Sequence, residues 1–230
     1  MVSNVGALET GLMRRVADME DKLDFKKKDK ALYMPGPNPV LVEVPPMLYL
    51  MVDGKGDPDG EGYQLAVQKL YTLSYGIKMS KMGEHKPVGY YEYVVPPLEG
   101  LWDSEGIGYD PNRNNWVWTS MVRQPEFVTE DLLDRVKERT AKKKPELDLS
   151  DVRLSVFKEG LCVQMMHLGP FKTEPESVAR MAAFLEANGL EENFDDFRKH
   201  HEIYLSDPRK TAPEKMKTVL RHPVRRISPS

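Results

Sequence analysis

Twice along this chain an apolar run is stopped by glycine, followed by a helical stripe and then by two short alternating segments. The first set opens with Leu48 to Val52 and breaks at the turn formers Asp53-Gly54-Lys55-Gly56-Asp57-Pro58. A helix follows from about Glu61 to Lys78, with Leu65, Val67, Leu70, Leu73 and Ile77 as its apolar stripe. Val88 to Val95, where Tyr91 and Tyr93 alternate around Glu92, reads as a strand, and so does Trp116 to Val122. Trp102 falls in the loop between them. The second set has Asp151 to Lys158 and Leu161 to His167 as strands paired through a turn at Gly160. Its helix runs from Glu174 to Asn188 and stops at Gly189, and Glu202 to Leu205 and Lys217 to His222 complete it. Glu130 to Lys144 reads as a charged surface helix connecting the two sets.

A repeated order of this kind leaves few solutions. Two pseudo-symmetric β-α-β-β repeats can join their strands into one curved antiparallel sheet, with helices on one face and a ligand cup on the other. The expected class is therefore α+β. Repeat one spans about 40–123 and repeat two about 151–224, within a domain covering 25–224. Residues 1–24 form an N-terminal extension, disordered or partly helical, in which Met19 is a candidate translation start.

Charge narrows the partners. The 36 acidic and 33 basic residues leave a net charge of −3, which gives no electrostatic reason to expect nucleic acid. No run of roughly 18 uncharged apolar residues is present, so no membrane span is expected. The single cysteine, Cys162, sits in an apolar run and fits a buried position in a reducing cytoplasm.

Side chains two apart on a strand project the same way. Trp116 with Trp118, Tyr91 with Tyr93, and Glu202 with Tyr204 are therefore three face-sharing pairs. Converging, they would wall a pocket for a planar aromatic or cationic small molecule, with one anion inside it. Ordinary cross-strand packing accounts for the same aromatic residues equally well. Glu202 has two readings: a solvated edge-strand acid, or a carboxylate in a dry cup that binds a cation or takes a proton as general base. His167, before Leu168-Gly169-Pro170, either lines the cup or is a satisfied structural histidine. His200 and His201 are adjacent and point oppositely on a strand, so they do not easily grip one metal together, and a zinc site with Glu202 beside them is the minor alternative. No metal and no cofactor are expected.

The stretch His201-Glu202-Ile203-Tyr204-Leu205-Ser206-Asp207-Pro208, followed by Pro213-Glu214-Lys215-Met216-Lys217-Thr218, resembles the C-terminal signature of GyrI-like small-molecule-binding proteins. Leu50 to Pro58 and Trp116-Val117-Trp118 resemble that family's stand-alone subgroup, and the likeness runs from Phe25 to Val224. The resemblance implies a duplicated β-α-β-β fold, shared with effector domains of multidrug-responsive regulators and with proteins that protect DNA gyrase. In the regulators a buried strand glutamate meets cationic drugs, and Glu202 matches that position. The stand-alone subgroup implies more: a hydrolase that opens activated cyclopropane rings of DNA-alkylating compounds, as detoxification. Glu202 would then activate water, Tyr204 would orient it, and Trp116, Trp118, Tyr91 and Tyr93 would clamp the ligand's aromatic body. The chain departs from the regulators in lacking a DNA-binding module. The alternatives are a non-catalytic drug-sequestering protein and a gyrase-interacting one.

Overall fold

Prolines and polar turns punctuate both halves of the chain, and the strands between them pair so that neither half is complete alone. The computed structural model describes residues 22–83, 86–104 and 110–227. The extension expected over 1–24, apart from its last three residues, lies outside the described residues, as does Met19.

Two short helical turns, α1 (Phe25–Lys28) and α2 (Lys30–Tyr33), precede the first strands β1 (Val40–Val44) and β2 (Met47–Lys55). Helix α3 (Glu61–Lys78) follows, then β3 (Leu98–Ser104) and β4 (Trp116–Arg123). Helix α4 (Glu130–Lys143) connects to β5 (Arg153–Phe157) and β6 (Gly160–Leu168). Helix α5 (Glu174–Ala187), β7 (Leu190–Glu192), β8 (His200–Tyr204) and β9 (Lys217–Arg226) complete the chain.

The strand order is β1-β6-β9-β8-β3-β4-β2-β5, antiparallel throughout, with β7 added against β9. The α+β class and the repeat are thus present: β2-α3-β3-β4 answers β6-α5-β8-β9, joined where β3 meets β8. The outermost strands are exchanged. β1, at the start of repeat one, pairs with β6 of repeat two, while β5, at the start of repeat two, pairs with β2 of repeat one. The expected pairing of Asp151–Lys158 with Leu161–His167 is therefore corrected. Gly160, at φ +75°, starts β6 and faces Val44 instead.

A second correction concerns repeat one. Val88 to Val95 is irregular apart from a single bridge between Leu23 and Tyr93, and Trp102 belongs to strand β3 instead of a loop. Pro96 and Pro97 close that segment, and proline cannot donate to a ladder.

The helices begin and end where local chemistry permits. The Thr129 side chain accepts from the Leu132 N–H at 3.2 Å, and acids open α4 while lysines close it, matching the helix dipole. Gly189, at φ +63°, ends the chain's turn out of α5. Helices α3 and α5 lie on one face of the sheet. Leu70, Leu73 and Ile77 pack on Leu50, Val52 and Val122, and Met181 and Leu185 pack on Val163, Met165 and Leu220. Each such side chain contributes roughly 1.5–3 kcal/mol when fully buried.

On the far face, Phe25, Leu32 and Tyr33 cover Tyr49, Met51, Met121 and Ile203. A polar cluster sits inside this second core. His201 lies 3.0 Å from both Glu99 and Glu159, and the Arg221 Nη1 donates to Glu159 at 3.0 Å. Arg221 also donates to the Gln164 Oε1 and to the Leu32 carbonyl, while the Tyr33 and Tyr49 hydroxyls donate to Glu99. No helix among the described residues is long and apolar enough to cross a membrane.

Candidate functional site

Strand alternation sends Glu202 and His201 to opposite faces, and the register shows which is which. Glu202 pairs with Gly100 on β3 and Leu220 on β9, and Leu220 belongs to the core under α5. Glu202, Tyr204 and His200 therefore point to the helix-bearing face, between α3 and α5. This corrects the expected placement of the ligand-facing acid on the face away from the helices. The helix-free face is already filled by the N-terminal turns and the His201 cluster.

Two glycines shape the floor. A Cβ on Gly54 would lie 2.1 Å from the Trp118 ring, and one on Gly100 would lie 2.7 Å from the Trp102 Nε1. Only the missing side chains let both indoles lie down on the strands beside them. We expect Gly54→Ala to cost about 1–3 kcal/mol, the usual range for overpacking, because Trp118 is only 4% exposed and its ring has nowhere to go. Urea unfolding would measure it, and an unchanged midpoint would contradict this account of the floor.

The walls are aromatic. Tyr63, from α3, stacks at a tilt on Trp102 with centroids 5.5 Å apart and meets the Trp118 ring edge-on at 5.0 Å. Trp102 meets Trp116 edge-on at 5.8 Å, and its Nε1–H donates to the Tyr204 hydroxyl at 2.9 Å. Phe171 stands edge-on to Tyr204. Tyr63, Trp102, Trp116, Glu202 and Tyr204 are all partly buried, set between core and solvent.

The acids are two. Glu174, the first residue of α5, brings its carboxylate near Glu202 and His200, with one ligand-type atom of each within 4.8 Å of the others. Its Oε1 is buried without a hydrogen-bond partner. Burial, and then the Glu202 charge, push its carboxyl up to about 9. At neutral pH Glu174 therefore holds a proton beside an anionic neighbour. Burial and the same charge hold the Tyr204 phenol well above its ordinary value, and burial lifts Tyr63 to about 12, so both hydroxyls remain donors. The trio of Glu174, His200 and Glu202 has the spacing to surround a cation. Both ring nitrogens of His200 are already engaged, however, Nε2 with Glu202 at 3.1 Å and Nδ1 with His222 at 2.6 Å. Proton handling fits the group better.

Of the residues singled out from sequence, Glu202, Tyr204, Trp116 and Trp118 come together, with Trp118 as buried floor. Tyr91 and Tyr93 do not join them. They pack around Phe127 on the other face, with the Tyr91 hydroxyl donating to Glu126 at 2.5 Å. Strand alternation misled because that segment is no strand. His167 is also elsewhere in role. Its Nε2 faces the Pro170 carbonyl at 3.2 Å and its Nδ1 the Ser177 hydroxyl at 2.9 Å, so it ties the start of α5 to β6. Tyr63, Trp102 and Glu174 were missed. A helix-surface tyrosine, a tryptophan beside a glycine and a first-turn acid each look ordinary in sequence.

The model of a GyrI-like small molecule binding domain matches residues 37–225. An uncharacterized conserved protein from Listeria innocua is 58% identical, with 89% of this chain and 100% of that one covered and a TM-score of 0.86. A structure described as a hydrolase from Listeria innocua is 56% identical over the same shares, with a TM-score of 0.83. The EcmrR C-terminal domain, at 13% identity with 83% and 98% covered and a TM-score of 0.50, shares the fold alone. No curated protein matches the chain.

Proposed function

The chain belongs to the GyrI-like small-molecule-binding family, and on that premise we propose that it is a hydrolase for flat aromatic compounds bearing a strained electrophilic ring, such as an activated cyclopropane. The carrying observation is the pairing of Glu202 with a buried Glu174, whose Oε1 has no hydrogen-bond partner, beside the aromatic cluster of Tyr63, Trp102 and Trp116. Burial and the Glu202 charge push the Glu174 carboxyl up to about 9, which suits it to the acid role beside a basic partner. The two hydrolase-described relatives, at 56% and 57% identity, support the same reading.

The ligand's aromatic body would lie against Trp102, Trp116 and Tyr63. Glu202 would accept a proton from water as the oxygen attacks the less substituted ring carbon. The carbon–carbon bond breaks, its electrons pass into the ligand's conjugated carbonyl, and Glu174 or Tyr204 donates a hydrogen bond or proton to the opened product. Strain supplies much of the driving force, so orientation and one general base would suffice. Consuming such alkylating agents would be detoxification, performed in the cytoplasm where DNA is their target.

A second reading, sequestration of planar cations without chemistry, draws on the same carboxylates beside aromatic rings. A thermal-shift screen of planar neutral and cationic compounds, with mass analysis of each hit, separates the two. Saturation at about 100 times the dissociation constant should stabilise the fold by about 2.7 kcal/mol. A product heavier by one water supports hydrolysis, and unchanged mass after long incubation supports sequestration. If no planar compound shifts the melting point, both readings fail.

A further inference from the structure

Behind Glu202 the polar groups do not stop. The His200 Nε2 lies 3.1 Å from the Glu202 Oε1, the His200 Nδ1 lies 2.6 Å from the His222 Nε2, and the His222 Nδ1 lies 2.6 Å from the Glu192 Oε1. Three neighbouring strands, β8, β9 and β7, contribute to this line. The sheet register places His200 and His222 on the same face, next to each other. Side-chain exposure is 12% at Glu202, 23% at His200, 4% at His222 and 36% at Glu192. One end therefore meets the aromatic cluster of Trp102 and Tyr204 and the other reaches solvent, with His222 sealed between them and His200 partly exposed. The Phe194 ring stands edge-on to His222 at 5.1 Å and covers it.

We infer that Glu202, His200, His222 and Glu192 form a proton wire that carries protons between the hollow and solvent. The inference deepens the hydrolytic reading of Glu202 and gives its proton an exit that does not cross the bound ligand. Proton counting supports it. Three hydrogen bonds join the four groups, each needs one proton, and two neutral imidazoles supply only two. The fully linked line therefore holds a third, shared proton.

With that proton on Glu202, each imidazole carries N–H at Nδ1. The carboxylic proton passes to the His200 Nε2, the His200 Nδ1 proton to the His222 Nε2, and the His222 Nδ1 proton to Glu192, which loses it to water. Along the line three O–H or N–H bonds break and three form, the release from Glu192 to water breaks and forms a fourth, and no electrons change hands. Burial lowers the His222 pKa, which disfavours trapping the charge midway, and the hydrogen bond from His222 lowers that of Glu192. The other titratable groups facing the line are Glu174 from α5, Tyr204 on β8 and Tyr63 on α3 at the inner end. Glu159 acts on His222 from behind the sheet.

Nitrogen-15 NMR of histidine-labelled protein tests the wire without any substrate. The Glu192 charge acts on His200 across space whether or not protons move, so the readout is the central link itself. A nitrogen–nitrogen coupling through the hydrogen bond between the His200 Nδ1 and the His222 Nε2 should be present in the parent and lost in His222→Asn. Absence of that coupling in the parent overturns the wire. Turnover of a cyclopropane-bearing aromatic substrate gives a second readout. His222→Asn should lower kcat at least about tenfold in dilute buffer with KM little changed, within the range of proton-transfer effects, and added imidazole should restore it. Equal kcat in parent and variant at every buffer concentration would also overturn the wire. A parent with no turnover but with the His200–His222 hydrogen-bond coupling present would sink the hydrolytic reading and leave the wire standing.

Discussion

Glu202→Gln should bind neutral planar ligands as the parent does and lose turnover by about 10²–10⁴-fold, the range for a positioned general base. The amide is nearly the same shape as the carboxylate, and it can keep the present 3.1 Å contact with the His200 Nε2, donating through its NH2 or accepting through its oxygen as the tautomer requires. The Trp102–Tyr204 hydrogen bond and the Tyr63–Trp102 stack involve no atom of residue 202, so the aromatic walls stay in place. What disappears is the anion. Cationic ligands should therefore weaken where neutral ones do not. Glu174 reports the same change from inside the site. Burial and the Glu202 charge both raise its pKa, so in the variant it should fall from about 9 yet stay above the ordinary carboxylate value, because burial remains. Retained turnover in Glu202→Gln would remove Glu202 as the base and make Glu174 the first alternative to examine. Product analysis by mass spectrometry and a carboxyl titration by NMR measure the two effects separately.

The sequence carries the plan of this fold more fully than the plan of its site, and particular residues show why. Helical patterns survive wherever a helix has one wet and one dry face, as in α3 and α4, and apolar runs mark strands buried on both faces, as in β2 and β6, so the β-α-β-β order could be read directly. Strand β3 hid itself because Glu99 and Gly100 interrupt its alternation. Glu99 is buried by the His201 cluster, and Gly100 is bare to admit an indole. Neither is visible without partners from distant strands. The Tyr91–Tyr93 alternation was the opposite error, a strand-like pattern held as coil by Phe127 and two prolines. Glu202 stood out because the apolar Ile203 and Leu205 mark the opposite face of its strand. Glu174 and the His200–His222–Glu192 line join positions far apart in the chain, and only the register of β7, β8 and β9 assembles them.

Arg221→Leu should destabilise the protein by about 3–5 kcal/mol, the cost of leaving a buried charge without its partner. The guanidinium is fully buried and makes three kinds of contact at once. It donates to Glu159 at 3.0 Å, to the Gln164 side chain at 3.0 Å and to the Leu32 carbonyl at 2.8 Å. Leucine fills part of the volume but satisfies none of these acceptors. The cluster also fixes a pH window. Burial alone would lower the His201 pKa, but the Glu159 charge and hydrogen bonds to Glu159 and Glu99 raise it from 6.5 to about 9. That stabilisation is complete below about 6.5 and fades as pH rises through 9. Burial alone would raise the Glu159 pKa, yet the His201 and Arg221 charges bring it from 4.5 to about 2. Its contribution is present above 4.5 and fades as pH falls through 2, so the two overlap fully between 4.5 and 6.5. Removing Arg221 takes away a charge that lowers both groups, so the acid limb should move to higher pH and the alkaline limb should move up with it. Urea unfolding across pH 3–9 would show both. A loss below about 1 kcal/mol near pH 6 would mean that water or relaxation replaces the guanidinium, and the cluster would no longer explain how β8 is held with Glu202 facing the hollow.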